Sequence, residues 1–172
     1  MADKIKQNIV YVLCGAMGLL AFIFSAFTYA DIFVKFSGYD LFGTIWDSIA
    51  EEESKAAAVA TIQIFVLIVA GLMLVWGGLG LLKGLGKFEK FPDKLGSIKS
   101  TTIAKALFWI LDLLVLVQIV LLFMLKADSS GVMKVGFGIF AMTICNTIAF
   151  VAAAQFDKKY SSVASDSDDD EE

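Results

Sequence analysis

The sequence predicts an all-α integral membrane protein: a four-transmembrane-helix antiparallel bundle with a short interfacial helix in its first external loop. Three observations carry this expectation. Four apolar stretches, about 8–30, 56–82, 103–125 and 132–154, each reach the roughly 20 residues that a helix needs to cross a hydrocarbon core of about 30 Å. The lysines divide unequally among the connecting segments, which orients the spans. Within the acidic segment between the first two spans, apolar residues recur at helical spacing.

Composition agrees with a lipid solvent. Hydrophobic residues make up 58% of the 172 positions, well above the share in a soluble domain. Roughly 75 residues remain outside the spans, divided among five segments, too few for a separate soluble catalytic domain. Histidine is absent and all 14 basic residues are lysine. The chain therefore lacks a side chain that ordinarily titrates near neutrality and a guanidinium for bidentate anion binding. This argues against an enzyme, and no catalytic residue, metal ligand set or cofactor motif emerges. Cys14 and Cys145 both lie inside apolar runs and cannot staple an external loop.

The first span, 8–30, follows Lys4 and Lys6 and carries small residues at Gly15, Gly18, Ala21, Ser25 and Thr28, close to one helical stripe. Such a stripe lets another helix approach closely, within the bundle or from a partner. A cleaved signal peptide is the competing reading of this segment, but the apolar run is longer than the usual h-region of about 7–15 residues. The external loop, 31–55, holds Asp31, Asp40, Asp47, Glu51, Glu52 and Glu53 against Lys35 and Lys55. Inside it, Leu41, Phe42, Ile45, Trp46 and Ile49 follow Asp40 as a plausible N-cap and predict the interfacial helix. Ser48 and Glu51 read as a capping box that opens the second span above the membrane.

The second span, 56–82, ends in a glycine-rich run in which Gly80 and Gly84 form GxxxG, a further helix-packing signal. The loop 83–102 is the basic one, with Lys83, Lys87, Lys90, Lys94 and Lys99 against Glu89 and Asp93. Short lysine-rich loops stay in the cytoplasm, so both termini are expected inside and loop 31–55 outside. Phe88, Phe91, Leu95 and Ile98 alternate with Lys87, Lys90, Lys94 and Lys99, which suits a segment lying against anionic lipid headgroups at the cytoplasmic face. Nucleic acid is not expected as a partner, because no binding module presents these lysines. Net charge is −4, yet Tyr160–Glu172 contains six acids and no base, so the rest of the chain carries +2. That tail, 160–172, is expected to be disordered.

Polar residues within the spans mark the candidate site. Asp112 is the ionisable residue deepest in a span, where an isolated carboxylate costs about 2.5–3.5 kcal/mol. Counting from Lys126 and Lys134 places Asp112 and Asn146 within roughly 3 Å of the same depth, as candidates for a direct hydrogen bond. Thr143 and Thr147 flank Asn146, and the stem of Lys105 could bring its ammonium toward Asp112. Gln63 and Gln118 form a second level nearer the outside. The four-span plan resembles the layout of claudins. The external loop nevertheless has neither their paired cysteines nor the Cys-Cys-Gly of tetraspanins, so no residue role carries over. The function expected is that of a non-enzymatic assembly, scaffolding or accessory subunit, as a homo-oligomer or with another membrane protein. The alternative is a small oligomeric channel or transporter whose route passes Asp112.

Overall fold

A computed structural model describes residues 8–31, 37–39, 54–128 and 133–166. Four helices dominate: α1 (Ile9–Ser25), α2 (Ser54–Gly84), α3 (Ser100–Asp128) and α4 (Phe137–Asp166). Three contain stretches long and apolar enough to cross a membrane, 57–84, 100–124 and 137–158. The first helix is apolar but has only 17 residues, about 25 Å of rise, so it is shorter than the expected 8–30. It stops because its last turn tightens, with Ala26 and Phe27 donating to Ile23 and Phe24. The Thr28 hydroxyl then donates to the carbonyls of Phe24 and Ser25, at 3.2 Å each.

Each helix packs against its neighbours in sequence, and α4 closes back onto α1. The buried positions explain this arrangement. A common seam runs through Val10, Cys14, Met17 and Ala21 on α1, and through Val59, Gln63, Val66, Ala70, Met73, Gly77 and Gly80 on α2, with Gly18, Ala60, Leu67 and Val69 buried beside it. On α3 it runs through Ala104, Phe108, Leu111, Val115, Gln118 and Leu122, and on α4 through Ile139, Met142, Asn146 and Ala153. The spacing alternates between three and four residues, a 3.5-residue seam that favours shallow, left-handed helix crossings.

Between α1 and α2 the seam is made of glycine. Gly18 lies against the backbone of Ala70 and Leu74, and Gly77 against Gly15 and the Tyr11 carbonyl. Gly80 meets the Tyr11 ring and Gly84 the Asn8 side chain. The two backbones approach more closely here than any side chain would permit.

At one end, β1 (Tyr29–Asp31) pairs antiparallel with β4 (Met133–Val135), with Ala30 opposite Lys134. This ladder takes residues that the fourth span was expected to include from Val132, and α4 begins only at Phe137. Gly136 and Gly138 donate to the carbonyls of Thr28 and Phe27 at 2.9 and 3.0 Å. Free N–H groups at the start of α4 and free carbonyls after α1 thus satisfy one another.

At the other end, β2 (Lys94–Leu95) and β3 (Ile98–Lys99) form a hairpin within the basic loop. The ring of Phe91, buried, lies edge-on to both Tyr11 and Trp76, with centroids 5.8 and 4.9 Å away. Ser100 starts α3 and ties the loop down, its N–H and hydroxyl both donating to the Asp93 carbonyl, at 2.9 and 2.7 Å. Trp76 Nε1 donates to the Ser100 carbonyl at 3.1 Å.

Helix α4 continues to Asp166, so residues 160–166, expected to be unstructured, are helical. The expected interfacial helix at 41–49, the Ser48–Glu51 capping box, Lys4, Lys6 and the acidic residues after Asp166 lie outside the described residues.

Candidate intramembrane polar site

The two expected polar levels differ in structure. Gln63 and Gln118, both buried, meet across α2 and α3, with Gln118 Nε2 donating to Gln63 Oε1 at 2.5 Å. Above them the chain folds over. Gly38 N–H donates to the Ser25 carbonyl at 2.8 Å, and the Tyr39 hydroxyl donates to the Phe22 carbonyl at 2.5 Å. A Cβ on Gly38 would lie 2.6 Å from that Ser25 oxygen and 2.9 Å from Gln63 Nε2, so the glutamine pair sits directly beneath a glycine backbone. Among the described residues, Gln63 Nε2 is buried without a hydrogen-bond partner.

At the deeper level, Asp112 lies two residues from the middle of α3, about 3 Å from its centre. Asn146 of α4 is fully buried and is the polar neighbour of the Asp112 carboxyl. Its side-chain N–H also donates to the Phe108 carbonyl at 2.9 Å, one turn before Asp112. Asn146 serves both groups, because its amide carries two N–H donors: one goes to the Phe108 carbonyl, and the hydrogen bond to the Asp112 carboxyl expected from depth is kept. Among the described residues, Asp112 Oδ1 and Asn146 Oδ1 are both buried without a hydrogen-bond partner.

Three neighbours expected around Asp112 do not join it. Lys105 forms an ion pair with Asp157 of α4 instead, since α4 presents a carboxylate at its own level. The Thr143 hydroxyl returns to the Ile139 carbonyl of its own helix at 3.0 Å, and Thr147 is exposed. The helix-packing residues Gly15, Gly18, Gly80 and Gly84 all lie along the α1–α2 contact, while Ala21 and Ser25 are fully buried on α1. The Ser25 hydroxyl donates to the Ala21 carbonyl at 2.8 Å. Lys87, Lys90, Lys94 and Lys99 are all exposed. Cys14 is buried, Cys145 half-buried, and both are free thiols.

The seam sorts the polar residues. Gln63, Gln118 and Asn146 occupy seam positions and are buried, whereas Asp112, Thr143 and Thr147 each follow a seam residue by one and fall on its flank. Asp112 is consequently half-buried, on a stripe between Trp109, 66% exposed, and Leu116, 52% exposed. Searches against protein-family models, curated proteins and solved structures find no match to this chain.

Proposed function

We propose that this chain is a non-enzymatic multi-pass protein of the cell membrane, a four-span bundle with both termini in the cytoplasm, that acts as an assembly, scaffolding or accessory subunit. The observation that carries this reading is the position of Asp112. A carboxylate near mid-membrane, flanked by exposed Trp109 and Leu116, costs about 2.5–3.5 kcal/mol if it faces lipid. A helix of a second copy, or of another membrane protein, that brings a donor to this level removes the cost and gives the contact its specificity. The hydrogen bond from Asn146 leaves Asp112 Oδ1 buried without a partner, so the carboxyl is only partly satisfied within one copy.

Crosslinking and pull-down from native membrane test the proposal. Asp112→Asn keeps a hydrogen-bonding side chain and should retain the crosslinked species, whereas Asp112→Leu should lose it. A crosslinked species unchanged in Asp112→Leu would refute the reading.

The second reading, a small oligomeric channel or transporter, is favoured by one feature. Two buried acceptor oxygens without donors, on Asp112 and Asn146, suit a bound proton or cation. Flux in reconstituted vesicles separates the two, since this reading requires Asp112→Asn to alter it and the first does not.

A further inference from the structure

The β2–β3 hairpin has a construction that the helices do not require. Lys94 stands opposite Lys99, and Leu95 opposite Ile98, across a two-residue connection that starts at Gly96 with φ +63°. A positive φ at the first turn position suits the tight turns that join adjacent strands, and glycine adopts it without strain. Side chains alternate along a strand, so the lysines share one face and Leu95 and Ile98 the other. The lysine face borders a cavity of about 230 Å³ that is also lined by Tyr11, Asp93, Ser100 and Thr101. Asp93 is held by Lys83, which offsets its charge. Leu95 and Ile98 are 61% and 51% exposed.

Like charges placed directly opposite each other on a ladder are destabilising, and an anion between them reverses the sign. The hairpin runs straight into α3 at Ser100, so it sits where a membrane-length helix begins. We propose that it docks on an anionic phospholipid. The lipid phosphate is held in the cavity between Lys94 and Lys99, and Leu95 and Ile98 lie at the boundary of headgroups and acyl chains. This inference rests on the membrane-spanning reading and adds a lipid class and a binding site to it.

Native mass spectrometry of the detergent-solubilised full chain, titrated with dioleoyl-phosphatidylglycerol, dioleoyl-phosphatidylcholine or inorganic phosphate, tests the site. Phosphatidylglycerol should bind more tightly than phosphatidylcholine. Each hairpin lysine should contribute about fivefold, so Lys94→Gln/Lys99→Gln should weaken binding about thirtyfold. Lys94→Arg/Lys99→Arg should retain it. The proposal is overturned if Lys87→Gln/Lys90→Gln weakens binding as much, which would mean diffuse attraction, or if phosphatidylcholine binds equally. It is also overturned if inorganic phosphate occupies the site and the lipid does not. Resistance of the same variants to carbonate extraction reports the spanning reading separately, so a failed lipid site with intact extraction resistance counts against the hairpin alone.

Discussion

Gly77→Ala should weaken the fold while the same change at its neighbour does not. A Cβ at Gly77 would stand 2.3 Å from the Gly15 nitrogen and 2.6 Å from both Gly15 Cα and the Tyr11 carbonyl oxygen. Those partners are backbone and cannot rotate away, so α1 and α2 must separate by about 1 Å to restore ordinary contact near 3.5 Å. Overpacking of this kind costs about 1–3 kcal/mol, and a gap of that size forfeits a quarter to a half of each dispersion contact along the seam. The loss should be about 2–3 kcal/mol, spread over the neighbouring contacts of Gly18, Gly80 and Gly84. Gly78→Ala provides the control, because nothing lies within 4 Å of its Cβ, and Gly15→Ala meets only atoms at 3.7 Å. Both should be neutral or stabilising by up to about 1 kcal/mol, because alanine is the better helix former where no clash opposes it. Denaturant or thermal unfolding of the three variants in one detergent measures the difference. Equal stability of Gly77→Ala and Gly78→Ala would refute the glycine-seam argument.

Two further outcomes follow from the outer polar level. Gln63→Leu removes the acceptor of Gln118 Nε2 and should cost about 1–3 kcal/mol, whereas Gln63→Leu/Gln118→Leu should cost less, because neither amide of the pair is left facing an apolar side chain. Unfolding that ranks the double variant below the single one would contradict this. Burial pushes the Tyr39 phenol above its ordinary value, so the neutral, hydrogen-bonding form is favoured by folding. Its stabilisation is fully present below about pH 10 and is lost as pH rises through the raised folded value. Tyr39→Phe should remove that alkaline component from a stability–pH profile, and a profile identical to wild type would count against it.

The helices α2 and α3 were legible from apolar length alone, within a few residues at each end. The ends of α1 and α4 were not, because they are set by contacts remote in sequence. Thr28 and Phe27 accept from Gly136 and Gly138, and β1 pairs with β4 more than 100 residues later. The hairpin at 94–99 was also missed, although Gly96-Ser97 between Leu95 and Ile98 is a turn signal. Lysine alternation through 87–99 masked it by reading as a surface pattern.

Depth counting brought the right polar residues to one level but could not give their azimuth. In water the seam would have shown as a hydrophobic stripe. Here Phe65, Ile68 and Leu72 face outward and are as apolar as the buried Val66 and Met73, so hydropathy carries little period. Residue size and polarity carry it instead. Gln63, Ala70, Gly77 and Gly80 mark the register on α2, and Gln118 and Asn146 mark it on α3 and α4. Extended by sevens and alternating threes and fours, that register places Asp112 off the seam, where the structure has it.

This register also bears on where an assembly would form. Along the apolar windows, 44% of α2 is buried against 28% of α3 and of α4. The α1–α2 contact is saturated by backbone approach at Gly15, Gly18 and Gly77 and has little capacity for another helix. The α3–α4 side has exposed Leu113, Ile144 and Ile148, together with the half-buried Asp112. Apolar exposure there is neutral in lipid, since hydrocarbon solvates leucine as well as a protein does. Asp112 is the residue on that side for which lipid is a poor substitute for protein. Interference with assembly should therefore follow the polarity of position 112 more closely than the bulk of the apolar residues around it.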